Sequence, residues 1–143
     1  MKKILIIGSN TNSLINFRGN LINELLKLGH SVTAMAPNID LSVIKKLKAI
    51  NVKFDSFPMN RFSLNPINNI ITFIFLFFKI KSIKPDIILA YTIKPVILTG
   101  FILFFYRSVK FYSLITGLGY VFQNSSFRRK FLKEFIILLY KFQ

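Results

Sequence analysis

The chain has no cysteine, one histidine and only five acidic residues among its 143 positions. Without cysteine there is no disulfide framework and no thiolate zinc site, and a single histidine argues against a histidine-based metal centre. The few carboxylates form no pair that flanks a common site, which argues against glycosidase chemistry, and no Ser-His-Asp arrangement is present. This composition is consistent with a reducing, cytoplasmic setting.

Two nucleotide-binding signatures and a long apolar run are also missing. The stretch IGSNTNS has neither the G-x-G-x-x-G spacing nor the G-x-x-x-x-G-K-[ST] pattern of a P-loop. The apolar candidates at 70–78 and 95–106 are shorter than the roughly 20 residues of a membrane span. The amino terminus has an apolar core of only about five residues, against about 7–15 in a signal peptide. We therefore expect no transmembrane span and interpret the amino terminus as a first strand.

What the chain does have is positive charge together with apolar side chains. The formal net charge is +15, and 17 residues are phenylalanine; the mean hydropathy is +0.51. This pairing argues against a nucleic-acid partner and favours an anionic membrane surface, where each lysine contributes about 1 kcal/mol. The alternative is that most lysines are merely solvated. We predict peripheral attachment through residues 70–78 and a basic helix at 126–140 that carries Arg128, Arg129, Lys130 and Lys133.

Apolar periodicity predicts a regular alternation of strands and helices. Short β-branched runs alternate with amphipathic segments along the whole chain, without an internal repeat, a low-complexity tract or a linker. This order is typical of a Rossmann-like, doubly wound parallel α/β sheet of about five strands with helices on both faces. The predicted strands are 3–8, 31–37, 52–58, 85–91 and 109–115, and the predicted helices are 17–28, 41–50, 66–82, 95–105 and 126–140.

In such a sheet, ligands bind beyond the carboxyl ends of the strands, where the strand order reverses. The loops expected at that edge are GSNTNSLINFRG, MNRFSLNP, YTIKP and TGLGYVF. The first provides a small-residue turn into a helix N-terminus, which suits a phosphate or carboxylate; alternatively, Ser13 or Asn16 only caps the helix. In YTIKP we expect Tyr91 and Thr92 to face the cleft, with Lys94 as a mobile cation. Gly117 and Gly119 would let the backbone approach a ligand, although a structural turn has the same pattern.

The content and order of these loops are more specific than any one of them. SLINFRGNLINELLKLGHSVTAMAP, NRFSLNP, KPDIILAYTIKPVILTG and ITGLGYVF follow one another along the chain. Together they resemble the N-terminal half of family 4 glycosyltransferases, notably bacterial enzymes that build O-antigen, capsule and related lipid-linked glycans. The resemblance runs nearly from Met1 to Gln143. It implies the GT-B architecture, in which two Rossmann-like domains face a cleft, with the acceptor mainly on the N-terminal domain.

The resemblance also implies roles for particular residues. Residues 8–16 would approach the donor phosphate and the acceptor, and Arg61 and Asn65 would border the acceptor groove. Thr92, Lys94 and Pro95 match a TxKP element, and residues 117–120 match a glycine loop that faces the sugar diphosphate. The candidate cleft residues are Gly8, Asn10, Asn12, Ser13, Asn16, Arg18, Arg61, Asn65, Tyr91, Thr92, Lys94, Thr116, Gly117, Gly119 and Tyr120.

The implied reaction is retaining transfer from a nucleotide sugar to a polyprenyl-diphosphate-linked glycan at the cytoplasmic face of the inner membrane. The nucleotide sugar is a co-substrate, and neither a cofactor nor a metal is expected. The sequence departs from the family at the end of the fourth strand, where Leu89 and Tyr91 stand in place of a frequent histidine. We expect residues 1–143 to form one incomplete domain, inactive by itself because no donor-binding domain is recognisable.

Two other functions fit parts of the sequence. One is a non-catalytic, membrane-associated subunit that pairs with a separate donor-binding chain. The other is a sugar-nucleotide-modifying Rossmann protein such as an epimerase. The missing glycine fingerprint and the absence of an acidic residue at the end of TAMAP argue against the second.

Overall fold

A computed structural model describes residues 1–61, 63, 65–106 and 108–114 of the chain. Over these residues there are five strands and five helices, and strands and helices alternate as the periodicity predicts, except that two helices lie between the first two strands. The strands are β1 (Lys3–Ile7), β2 (Ser31–Ala36), β3 (Lys53–Ser56), β4 (Ile87–Tyr91) and β5 (Lys110–Leu114). The helices are α1 (Thr11–Asn16), α2 (Gly19–Lys27), α3 (Leu41–Ala49), α4 (Pro66–Ile83) and α5 (Ile93–Leu103). The predicted helix at 126–140 lies outside the described residues.

The five strands form one parallel sheet in the order β3-β2-β1-β4-β5, which confirms the predicted fold class. β1 pairs with β2 on one side, Lys3 opposite Ser31, and with β4 on the other, Ile4 opposite Ile87. A central strand of a parallel sheet is covered on both faces, so its sequence is a continuous apolar run. Four successive residues of β1 are accordingly buried.

Helices cover the two faces of the sheet in two layers. The first layer, α1 to α3, packs on the face that carries Ile4, Ile6 and Val32. The second layer, α4 and α5, packs on the face that carries Leu5, Ile7 and Met35. Successive strand residues therefore belong to different layers, because side chains alternate between the two faces of a sheet.

The boundaries of the first-layer helices differ in part from the prediction. α2 ends before Gly29, whose φ of +77° is the expected left-handed cap. The sequence did not predict α1, which begins after Asn10; the Asn10 side chain accepts a hydrogen bond from the Asn12 backbone N–H at 2.8 Å. The capping alternative for Ser13 and Asn16 is therefore wrong. Both lie inside α1, where Asn10 already supplies the cap, and the N-cap residue of α2 is Arg18, which makes no side-chain capping bond.

α4 is the longest helix and bears on the expectation of no membrane span. It begins with a good cap, since the Asn65 side chain accepts from the Ile67 N–H at 2.9 Å and Pro66 occupies the first helical position. With 18 residues and a mean hydropathy of 1.3, it is long and apolar enough to cross a membrane by length and composition alone. Only 17% of this window is buried. The expectation of no span rests on the uninterrupted apolar run at 70–78, which is shorter than α4 because the helix extends beyond this run at both ends.

Candidate functional site

The strand order places the candidate site between β1 and β4. The chain runs outward from β1 to β2 and β3, then crosses back to β4 and β5, so the order reverses at this pair. Crevices open at such reversals because the connections leave in opposite directions. The residues that follow β1, β3 and β4 lie at this carboxyl edge. The fourth predicted loop carries Thr116, Gly117, Gly119 and Tyr120, which lie outside the described residues.

The β1–α1 turn is held by its own polar side chains. The Ser13 hydroxyl donates to the Asn10 carbonyl at 2.5 Å, and the Asn10 side chain caps α1. The Thr11 hydroxyl donates to the carbonyl of Asn38, which follows β2. The hydrogen bond from the Asn12 backbone N–H to the Asn10 side chain therefore fixes the local turn. Thr11 joins this turn to the neighbouring loop. The sequence did not identify Thr11, since no local pattern shows a contact that spans 27 residues.

Tyr91, at the end of β4, joins the turn to the rest of the edge. Its hydroxyl lies 2.7 Å from the Ser13 hydroxyl, and the Arg18 guanidinium carbon lies 4.9 Å from the centre of its ring. Burial raises the pKa of Tyr91, while the Ser13 hydrogen bond and the Arg18 charge act in the opposite direction. The structure thus brings together three residues that the sequence assigned to two separate loops.

Gly8 owes its identity to Tyr91. A Cβ atom at position 8 would lie 2.2 Å from the Tyr91 hydroxyl oxygen, far inside van der Waals contact. The Gly8 backbone is not in the left-handed region, so no turn geometry requires glycine there. The space above Gly8 is filled by the protein's own side chain. A ligand phosphate could contact the Gly8 backbone only if the ring of Tyr91 moved.

Arg18 is the cation nearest to this hydroxyl pair. It lies between α1 and α2, and its Nη1 donates to the Phe17 carbonyl at 2.9 Å. Its Nε is buried and has no hydrogen-bond partner. Stacking on Tyr91 holds the guanidinium plane while leaving donors for an anion, a geometry that suits carboxylate or phosphate groups. Asn16, the last residue of α1, is exposed and lies two positions before Arg18 in the sequence.

On the other side of β4, Lys94 is held in place, although the sequence suggested a mobile cation. Its Nζ donates to the Asn60 carbonyl at 2.8 Å and also to the Ser63 carbonyl. Desolvation by burial lowers the pKa of Lys94. Thr92, two residues earlier, has a φ of +69° and a buried hydroxyl without a hydrogen-bond partner. A threonine in the left-handed region stores backbone strain, which recurs at functional sites.

The connection between β3 and α4 supplies the remaining candidates. Arg61 is exposed on this connection, and Asn65 caps α4. The Asn65 backbone N–H donates to the Ser63 hydroxyl at 3.2 Å. Asn65 therefore has a structural role that accounts for its identity. The sequence did not identify Asn60 and Ser63, because they contribute backbone carbonyls, which any residue type carries.

The described part of the chain contains no group of three His, Cys, Asp or Glu side chains that could hold a metal ion. Asp86, which the sequence placed at the opposite edge of the sheet, lies there: its carboxylate accepts from the Lys3 backbone N–H at 2.7 Å. The chemical groups at the carboxyl edge include hydroxyls, the guanidinium groups of Arg18 and Arg61, the Lys94 ammonium and the carboxylate of Asp40, which caps α3.

Comparison with solved structures places this edge in a known architecture. MurG from Acinetobacter baumannii matches with a TM-score of 0.60 and 15% identity over 80% of this chain and 33% of its own. UDP-GlcNAc 2-epimerase from Neisseria meningitidis, bound to UDP-GlcNAc, matches with a TM-score of 0.65 and 15% identity over 96% and 38%. The calicheamicin glycosyltransferase CalG4 matches with a TM-score of 0.58 and 13% identity over 94% and 37%.

The chain has the Rossmann-like α/β fold found in part of these GT-B proteins. It spans about a third of their length. No family profile and no curated protein sequence matches it. At these identities the likeness concerns the fold, and the set contains both transferases and an epimerase. The comparisons therefore identify the fold and not the reaction.

Proposed function

We propose that this chain is the acceptor-side domain of a family 4-like glycosyltransferase that uses a polyprenyl-diphosphate-linked glycan. The cluster of Ser13, Arg18 and Tyr91 at the strand-order reversal carries the proposal. Hydroxyl groups exchange hydrogen bonds with sugar hydroxyls, and a stacked guanidinium binds a diphosphate through paired donors. An acceptor with a sugar joined to a diphosphate presents both kinds of group.

The filled space above Gly8 favours the acceptor over the donor at this edge. Nucleotide phosphates in Rossmann domains approach the backbone of the first turn, where a glycine leaves room. Here Tyr91 occupies that room. We therefore assign the nucleotide sugar mainly to a donor-binding domain or to a separate donor-binding chain, and we expect residues 1–143 alone to transfer no sugar.

In the proposed retaining reaction the described residues act by position and charge. Arg18 would neutralise negative charge on the acceptor diphosphate, and the hydroxyls of Ser13 and Tyr91 would orient the acceptor sugar. These contacts bind and orient the acceptor, because the charge on its diphosphate does not change during transfer; the charge that develops is on the leaving nucleoside diphosphate of the donor. The proposal requires neither a metal nor a cofactor.

The outward side of α4 supports peripheral attachment to the cytoplasmic face of the inner membrane. Five of its exposed residues recur at helical spacing and form what we call the α4 stripe: Ile67, Ile70, Ile71, Ile74 and Phe78. The opposite side of the helix buries Leu76 and Ile80 against the sheet. Because one side of α4 packs on protein, we propose that the helix lies at the membrane surface instead of crossing it.

The direct test is binding of the chain to vesicles that contain a polyprenyl diphosphate sugar. We expect the chain to bind more tightly to these vesicles than to vesicles of equal charge without the lipid. Arg18→Ala should weaken binding to the lipid-containing vesicles at least about tenfold, because one charge-assisted contact is lost. Lys45→Ala, an exposed charge on α3, is the matched control and should change nothing.

The same variants can be examined in sugar transfer when the donor-binding half is supplied, in cis or in trans. If wild type and Arg18→Ala bind equally well to vesicles with the lipid and to vesicles without it, this edge has no part in acceptor recognition. Sugar transfer by residues 1–143 alone would contradict the assignment of the donor site to another domain. Restoration of transfer by a separate donor-binding chain would favour a non-catalytic subunit of a split enzyme.

A second candidate, a sugar-nucleotide-modifying protein, is favoured by one observation. The fold match to UDP-GlcNAc 2-epimerase extends over 96% of the chain. Incubation with UDP-GlcNAc followed by NMR of the sugar protons examines this candidate. Inversion at C2 by the chain would support it over sugar transfer.

A further inference from the structure

Lys94 is the second residue of α5, and its ammonium spans the gap to another loop. Nζ donates to the backbone carbonyls of Asn60 and Ser63, both on the β3–α4 connection, which we define as residues 57–65. Within the described residues the two ion pairs are Lys27–Glu24 and Lys79–Asp55, so no carboxylate there pairs with Lys94. Its charge is compensated by carbonyl dipoles.

This placement is electrostatically unfavourable for a lysine that has no further role. The first turn of a helix carries the positive end of the helix dipole, where a cation is disfavoured. Thr92, the residue before α5, makes no side-chain capping bond that would account for the start of the helix. Solvent is the ordinary place for such an ammonium, and here it is instead partly desolvated against two carbonyls.

The β3–α4 connection is fixed at its ends by other contacts. The Thr72 hydroxyl of α4 lies 2.6 Å from the Pro58 carbonyl, and Asn65 caps α4. Lys94 holds the middle of the connection, because its ammonium donates to the carbonyls of Asn60 and Ser63. Arg61 lies between these two residues in the sequence. The Ser63 backbone N–H also donates to the Asn60 side chain at 3.2 Å, so the connection forms a local turn around Arg61, and the contacts of Lys94 tie this turn to α5.

We propose that Lys94 is a positioning residue that ties the β3–α4 connection to the first turn of α5 and keeps Arg61 at the carboxyl edge. It acts through the connection, and sugar diphosphate is not its ligand. The role of Arg61 toward the acceptor rests on the proposed function, whereas the tether does not. A diphosphate would have to displace two charge-assisted hydrogen bonds to reach this ammonium.

The surroundings of Lys94 make the tether sensitive to alkaline pH. The charged groups on the elements packed around it are Arg61 on the connection, the Lys79–Asp55 pair between α4 and β3, Lys81 on α4 and Lys110 on β5. Desolvation lowers the pKa of Lys94 from its usual 10.5. A lowered lysine pKa disfavours the folded state at low pH, and this penalty disappears as pH rises to the usual value. Deprotonation of Lys94 therefore weakens the tether locally without lowering the free energy of unfolding through this group.

Hydrogen exchange of the 143-residue chain tests the tether. In Lys94→Met we expect the Ser63 backbone amide, which donates to the Asn60 side chain, to exchange at least about tenfold faster, since both hydrogen bonds from Lys94 to the connection are lost. Lys94→Arg, which keeps charged donors, should stay within about threefold of wild type, as should the surface control Lys81→Met. If Lys94→Met fails to fold, Lys94→Gln replaces it, with the same expected direction.

Two further measurements separate positioning from packing and from anion binding. Protection of the Ser63 amide in wild type, relative to Lys94→Arg at each pH, should decrease with rising pH and begin to do so before pH 10.5, the usual lysine pKa; a purely steric role would leave the ratio constant. Inorganic diphosphate should leave the Lys94 side-chain NMR resonances in place. Unchanged exchange in Lys94→Met, a constant ratio, or a saturable shift with diphosphate would each overturn the proposal. Failure of Arg18→Ala to affect acceptor binding would leave these results unaffected.

Discussion

The two helical layers bury similar apolar cores but present different surfaces. The outward residues of α3 in the first layer include Lys45, Lys46 and Lys48. The second layer presents the α4 stripe, and after it Phe104 and Phe105, which are 57% and 72% exposed at the end of α5. Core packing does not require these outward residues, because Leu76 and Ile80 already bury the opposite side of α4.

This difference supports the proposal that the second layer attaches to a membrane surface. Single exposed apolar residues are normal on soluble proteins, but a contiguous stripe marks an interaction surface. The first layer has exposed apolar residues too. Leu28 and Leu41 lie at helix ends, whereas Leu21 lies within α2 and lines an apolar cavity together with Leu25, Ile87 and Leu89, so the exposed apolar residues of this layer form no stripe along one helix like that of α4. Four predictions examine the comparison.

The largest expected effect is on membrane binding. Ile71→Glu combined with Phe78→Glu should lower binding to anionic vesicles at least about 100-fold, because each buried apolar side chain contributes about 1.5–3 kcal/mol. Leu28→Glu combined with Leu41→Glu makes the same change in net charge on the first layer. Vesicle flotation at several salt concentrations compares the two pairs. Equal losses would mean that net charge alone, and not the second layer, controls binding.

The next effect concerns the contact of Gly8 with Tyr91. Gly8→Ala should lower the free energy of unfolding by about 1–3 kcal/mol, the cost of overpacking, because its Cβ overlaps the Tyr91 ring. In a Tyr91→Ala background the same change should cost much less. Gly19→Ala, in α2 with no atom within 4 Å of the new Cβ, is the control and should stabilise by up to about 1 kcal/mol. Urea denaturation of wild type, the two single variants and the double variant gives the coupling energy between positions 8 and 91. Equal costs of Gly8→Ala in both backgrounds would show that Tyr91 does not cause the overpacking.

A smaller effect separates two buried threonines of the second layer. The Thr99 hydroxyl has no hydrogen-bond partner, whereas the Thr72 hydroxyl lies within 2.8 Å of the Asn68 carbonyl and closer to that of Pro58. Thr99→Val should therefore stabilise the protein by about 1 kcal/mol, and Thr72→Val should destabilise it by about the same amount. Thermal unfolding measures both. A loss of stability in Thr99→Val would indicate a hydrogen bond that its surroundings do not show.

The smallest effect is the pH dependence of the first layer at Asp40. The Ser42 side chain, followed by the Val43 backbone N–H, holds the pKa of Asp40 below its usual 3.8. A lowered folded-state pKa adds stability above the usual value, and this is lost as pH falls through the folded value. Asp40→Asn keeps the cap but not the charge. The difference in melting temperature between wild type and Asp40→Asn should therefore shrink from pH 6 to pH 3, and a constant difference would contradict this.

The fold was predictable because its signals are local. The five strands were found as short apolar runs, and α2 was ended correctly at Gly29, since apolar periodicity and glycine caps act within a few residues. α1 was missed because six residues are too few to show a helical period. The site was predictable only as a group of loops, and the glycine loop at 117–120 stays a prediction.

The sequence by itself determined the parallel α/β fold, the carboxyl edge as the place of the site, and the apolar character of residues 70–78. Tertiary structure decided which of the edge residues meet. It placed Tyr91 above Gly8 and beside Ser13, and it joined Lys94 to the carbonyls of Asn60 and Ser63. The physical reason is that strand and helix signals depend on neighbouring residues. Side-chain contacts across 31 or 78 positions depend on strand order and register, which arise only when the sheet assembles.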